Sequence, residues 1–100
     1  MSNTETRFIL PENFDAAAID GIRQRFDDLS QSGEGTVVLD FSLTRFMDSS
    51  GLGGIVFLFK RLAPKKRGII LADVSGQPLD LIKMVRLDRS IPVQAQEVAA

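Results

Sequence analysis

One run of eighteen residues constrains this chain more than any other: Val37-Val38-Leu39-Asp40-Phe41-Ser42-Leu43-Thr44-Arg45-Phe46-Met47-Asp48-Ser49-Ser50-Gly51-Leu52-Gly53-Gly54. Residues 36–41 are β-branched and nearly all apolar, which predicts a strand covered on both faces, as in a parallel sheet. A short turn follows, and Ser49 and Ser50 then stand where a helix begins. The first N–H groups of a helix have no intrahelical partner, and the dipole there is positive. Such a place suits an anion, and a hydroxyl held there is a natural phosphate carrier. The plainer reading is capping, because Ser and Asp are preferred N-caps whatever the function, each worth about 1 kcal/mol. The two readings are compatible for Ser49. Ser50 is the second candidate acceptor. Asp48 either caps the helix or orients the Ser49 hydroxyl. Gly51, Gly53 and Gly54 admit close approach of another backbone, or serve helix–sheet packing.

Around this run, strands and helices alternate. Residues 7–10 predict a short strand ended by Pro11, and Asn13 or Asp15 is placed to cap the next segment. Ile19, Ile22, Phe26 and Leu29 recur at helical spacing between charged residues, which predicts an amphipathic helix with Gly21 inside it. The second helix runs from the serine pair to about Leu62. Leu52, Ile55, Val56, Phe59 and Leu62 form its expected buried stripe, and Phe57 and Leu58 fall toward the other side. That leaves two readings: an exposed apolar patch that meets a partner, or a helix covered on both sides by the domain itself. Residues 68–74 predict another strand. Pro78, Leu79, Leu81, Ile82 and Val85 predict a third helix, residues 91–94 an edge strand, and residues 96–100 a frayed tail or short helix. Short connections between alternating elements imply a layered α/β sheet with right-handed crossovers.

Composition excludes several classes of function. One hundred residues make a single domain, with a core expected over about 7–94. Apolar residues make up 44% and charged residues 25%, a globular balance. With no cysteine there is neither a disulfide nor a thiolate metal site. With no histidine, the commonest general base and metal ligand is missing, and no spacing of carboxylates points to an acid-only active site. Composition leaves a carboxylate-only hydrolase or a magnesium enzyme open; the expectation of no enzyme and no cofactor comes with a family resemblance carried by the serine run. Net charge is −1, so nothing global draws the chain to nucleic acid or an anionic membrane. Five of the twelve basic residues, Lys60, Arg61, Lys65, Lys66 and Arg67, cluster without interleaved aromatics. They read as a solvated loop that offsets a helix C-terminus rather than as a nucleic-acid site. No apolar stretch is long enough to span a bilayer. Residues 1–7 lack a signal layout, so a cytoplasmic location is expected.

The residues Phe46-Met47-Asp48-Ser49-Ser50-Gly51-Leu52-Gly53 resemble the signature of the STAS domain in bacterial anti-sigma factor antagonists. Residues 38–41, 68–75 and 81–88 are also similar to the family, and the resemblance spans roughly 10–94. It implies an α/β fold with a four-to-five-stranded mixed sheet and helices mainly on one face. It also implies that Ser49 is a phosphorylation switch. Asp15, Asp40, Met47, Asp48, Ser50, Gly51, Leu52 and Gly53 would form the partner-facing loop around it. By the same resemblance, the unphosphorylated form would bind a GHKL-type serine kinase that is itself the anti-sigma factor and release its client. That kinase would phosphorylate Ser49 with ATP and Mg²⁺, and a PP2C-type phosphatase would restore the hydroxyl.

Two departures from the family stand out. Members usually open with a β-hairpin, and with about ten residues ahead of Glu12 its first strand is expected to be missing or shortened; Glu12-Asn13-Phe14-Asp15 replaces Gly-x-Leu-Asp, keeping the acid but not the glycine. Two other functions remain as alternatives. One is a STAS subunit of a lipid-transporting ABC system, bound to its ATPase. The other is an enzyme or nucleotide binder that uses the strand–turn–helix as a phosphate cradle, although neither a Gly-x-Gly-x-x-Gly run nor a P-loop is present. Homodimerisation is left open.

Overall fold

The computed structural model describes residues 4–96. Its elements in chain order are β1 (Glu5–Ile9), β2 (Asn13–Phe14), α1 (Ala16–Gln31), β3 (Thr36–Asp40), β4 (Phe46–Met47), α2 (Ser49–Leu62), β5 (Ile69–Val74), α3 (Gly76–Met84) and β6 (Val93–Ala95). Short 3-10 turns come after α2 and α3. The main sheet has the order β1-β3-β5-β6, and β2 pairs with β4 in a separate two-residue ladder. All pairings among the described residues are parallel, so the antiparallel component of the expected mixed sheet does not occur there. The cause is the connections: α1, α2 and α3 each carry the chain back to the same end before the next strand of the main sheet, as parallel ladders require. Four strands stand at the lower end of the expected range.

Side-chain parity shows which face of the sheet carries the helices. Phe8, Val37, Leu39, Ile69 and Leu71 join one cluster with Ile19, Ile22 and Phe26 of α1, Ile55, Leu58 and Leu62 of α2, and Ile82 of α3. The alternate residues Arg7, Ile9, Val38, Ile70 and Ala72 lie outside it. The helices thus pack on one face, as the resemblance implied, and β3 is not sandwiched between two helical layers. Val38 is nevertheless buried and Ile9 exposed on the second face. There Arg7 Nε donates to Asp40 Oδ2 at 2.9 Å, and its terminal nitrogen reaches Asp73 at 3.3 Å, so one guanidinium spans β1, β3 and β5. Asp73 has φ 56° and marks a bulge: β5 spends three steps, Leu71 to Val74, where β6 spends two, Val93 to Ala95. The extra residue returns Val74 to the core side.

α1 and α2 run side by side in the same direction. Ala16 meets Asp48 at one end, Ile19 faces Gly54 in the middle, and Asp27 faces Arg61 at 3.5 Å near the other end. The buried residues of α2 are Gly51, Gly54, Ile55, Leu58 and Leu62. The apolar stripe expected from the sequence is therefore rotated: Leu58 is central, and Leu52, Val56 and Phe59 are half-buried. The glycines mark the contact side, because side chains there would hold α1 away. Phe57 is not a bare patch, since the guanidinium carbons of Arg23 and Arg61 lie 5.7 and 4.9 Å from its ring centre.

The basic cluster has structural roles. Arg67 donates to the carbonyls of Gly35 at 2.9 Å and Leu29 at 2.8 Å, and Lys65 reaches the Ser30 carbonyl. The end of α1 and its exit loop are tied down in this way, while Lys60 and Arg61 stand in the last turn of α2, where the sequence placed them. α3 buries Pro78 and Ile82 but leaves Val85 exposed, so the third apolar stripe stops earlier than expected. The edge strand falls at Val93–Ala95, with Ile91 buried before it. Of the expected tail, only Gln96 lies within the described residues.

Candidate functional site

The serine pair sits where the N-termini of α1 and α2 meet. Asp48 is the N-cap of α2: Oδ1 accepts from the Ser50 N–H at 2.9 Å and the Gly51 N–H at 3.1 Å. Its second oxygen accepts from the Ala16 N–H, the first residue of α1, at 3.3 Å. Asp15 caps α1 through the Ala18 N–H at 3.1 Å, which decides between the two candidate caps, since Asn13 lies in β2. Two carboxylates therefore occupy the two helix starts, as the dipole favours.

This leaves Ser49 without the capping duty that its sequence context offered. It is the first residue of α2, it is exposed, and its hydroxyl makes no hydrogen bond among the described residues. Ser50 is half-buried. Gly51 is buried, and a Cβ there would overlap the Phe14 carbonyl oxygen, so glycine lets α2 lie against β2. Gly54 faces Ile19 in the same way. Gly53 is exposed with nothing within 4 Å, so neither close approach nor packing inside the domain explains it.

Met47 lies between β2 and α3 and is fully buried. Its N–H donates to Gln77 Oε1 at 2.8 Å, and its carbonyl accepts from Gln77 Nε2 at 2.8 Å. The sequence did not single out Gln77. The only signal was an amide side chain in the first turn of a helix, which carries no indication of a distant strand. The turn before β4 is held by Thr44, whose hydroxyl donates to the Pro11 carbonyl at 2.8 Å, and by the Arg45 and Phe46 N–H groups on the Glu12 carbonyl.

Asp15, Met47, Asp48, Ser49, Ser50, Gly51, Leu52 and Gly53 are thus gathered at one end of the molecule. Asp40 is not joined to them. Its oxygens take the Arg7 guanidinium and the Ser42 N–H, at 2.9 and 2.8 Å, and it makes no hydrogen bond to residues 46–53. Burial alone would raise its carboxyl, but hydrogen bonds from Ser42 and the Arg7 cation outweigh that and hold it below the usual carboxylate range. Among the described residues no three metal-ligating side chains cluster. No described helix is long and apolar enough to cross a membrane.

An all-parallel sheet with helices on one face, and an exposed serine at the start of a helix capped by its neighbour, define a class of small α/β domain. The STAS domain family matches residues 5–100, and the chain belongs to that family. Solved structures share the fold. An anti-sigma factor antagonist from Thermotoga maritima is 18% identical, with a TM-score of 0.80 over 95% of this chain and 84% of that one. The anti-sigma factor antagonist SpoIIAA in its unphosphorylated form is 21% identical, with a TM-score of 0.72 over 98% of this chain and 84% of that one. A STAS-domain anti-sigma-factor antagonist from Planctomyces limnophilus is 18% identical, with a TM-score of 0.81 over 91% and 82%. Compared with curated protein sequences, the chain finds no match.

Proposed function

We propose that this domain is a phosphorylation-switched interaction module of the anti-sigma factor antagonist kind, working in the cytoplasm without a cofactor of its own. The observation that carries this reading is the state of Ser49: exposed, first in its helix, with a hydroxyl that no structural bond requires. Asp48 does the capping, so Ser49 is free to accept a phosphoryl group without unravelling α2. The antagonist descriptions of the structural relatives point the same way.

Phosphoserine adds about −1.5 to −2 charges at pH 7. Here it would stand beside the Asp48 carboxylate, at a rim where Phe46 is exposed. The new charge repels an acidic partner surface and must be desolvated against an apolar one. The complex breaks while the caps hold the fold. In this scheme the partner is a GHKL-type serine kinase that acts as anti-sigma factor, and a PP2C-type phosphatase resets the serine.

The test is to isolate the chain from its native cytoplasm, then read intact mass, fragmentation and the proteins that co-purify. The reading expects one phosphate, on Ser49, and kinase captured only by the unmodified form. An ABC ATPase in the eluate with no phosphate on Ser49 would replace it with the transporter-subunit function.

A further inference from the structure

The short ladder that leads into Ser49 has one strand too few. β4 is two residues long and pairs with β2 on one side only. Met47 is fully buried beneath Gln77, which is itself exposed, so with the amide in place the Met47 N–H and C=O on the other side do not meet water. A buried backbone pair left without partners costs more than its hydrogen bonds are worth when made. Gln77 fills the gap. Its amide donates to the Met47 carbonyl and accepts from the Met47 N–H, both at 2.8 Å, as a neighbouring strand residue would. Among side chains of this length only a carboxamide offers a donor and an acceptor together; a carboxylate only accepts.

We infer that Gln77 is a positioning residue for the phosphoacceptor: it fixes the backbone of Met47, and through it the place of Ser49 two residues on. This rests on the reading of Ser49 as the acceptor. The position of Gln77 is itself set by the fold. Gly76, at φ 59°, opens α3, and Pro78 is buried immediately after Gln77, so the amide leaves the first turn of a helix rather than a loop. Met47 in turn precedes the Asp48 cap, whose oxygens hold Ser50, Gly51 and Ala16. A displacement of Met47 is thereby passed to the segment that presents the hydroxyl. Phosphoryl transfer depends on such placement, since a shift of about 1 Å in a reacting group costs on the order of 100-fold in rate.

Two variants separate hydrogen bonding from packing. Gln77→Met keeps a stem of similar length and removes both bonds. Gln77→Glu keeps an acceptor for the Met47 N–H but sets an oxygen against its carbonyl. Amide exchange of the chain, followed by NMR, should speed up about tenfold at Met47 in Gln77→Met while the centre of β3 is unchanged. With a GHKL-type kinase that modifies the wild-type chain, both variants should lower kcat for phosphorylation of Ser49 by about tenfold or more, with KM little changed. Unaltered exchange at Met47 overturns the clamp, and faster exchange with an unaltered kcat overturns its positioning role. If the wild-type chain itself takes no phosphate on Ser49, the acceptor reading fails, and the positioning role with it; the exchange result then speaks only for the clamp on Met47.

Discussion

The Asp48 carboxylate accepts the Ala16 N–H at 3.3 Å while it caps its own helix, so one side chain starts both α1 and α2. Asp48→Ala removes the cap of α2 and the bond to α1 together. The expected loss is about 1–2 kcal/mol, at the upper end for a single cap. Asp48→Asn keeps the oxygen that holds Ser50 and Gly51 and turns a donor toward Ala16, so its loss should be smaller, about 0.5–1 kcal/mol. Urea unfolding of the three proteins checks the order.

Ser49→Ala should leave stability within about 0.5 kcal/mol of wild type, because the hydroxyl is exposed and unbonded. Ser49→Asp should fold equally well and bind the kinase partner more weakly, since it places a charge beside Asp48. A destabilised Ser49→Ala in a thermal melt would mean that the hydroxyl does cap the helix after all.

The glycines of α2 should respond in opposite directions. Gly51→Ala forces a methyl into the Phe14 carbonyl and should cost about 1–3 kcal/mol. Gly53→Ala meets open space on a helix and should gain about 0.5–1 kcal/mol, as should Gly21→Ala in α1, where nothing lies within 4 Å. If Gly53→Ala stabilises the free domain but weakens partner binding, the partner's backbone approaches at that point.

Acid should weaken the Arg7–Asp40 tie. The folded-state carboxyl of Asp40 lies below its unfolded value, so its contribution is fully present above about pH 4 and is lost as pH falls through the folded value. Arg7 stays charged throughout, its guanidinium raised chiefly by the hydrogen bond to Asp40. Asp40→Asn should cost about 1–2 kcal/mol at pH 7 through lost charge-assisted bonds. Denaturation curves from pH 7 to pH 3 should show the gap between variant and wild type closing below about pH 4.

Long elements with a strong period were legible in the sequence. The α1 stripe of Ile19, Ile22 and Phe26, the β3 run, and the helix start after Met47 all appear where the residues placed them. What escaped depends on contacts between distant segments. β2 and β4 have two residues each and so no period. The buried side of α2 keeps Ile55 and Leu62 of the expected stripe but is rotated toward Leu58, because part of its contact is made by Gly51 and Gly54, which a hydrophobic pattern counts as blanks. Asp48 and Ser49 are equally good caps by type, and only the geometry assigns the work to Asp48. Gln77 and Met47 are thirty residues apart, and no local signal joins them.

The bulge at Asp73 has a consequence for the outer face of the sheet. β5 takes one more residue than β6 to cover the same stretch of ladder, so α3 starts that much further along the chain. A chain lacking Asp73 would still point Ile69, Leu71 and Val74 inward, and its core composition would be unchanged. It would, however, lose the carboxylate that Arg7 reaches at 3.3 Å, and the guanidinium would then span β1 and β3 alone. The spare residue thus adds a charged side chain to the outer face of the sheet without altering what the inner face buries.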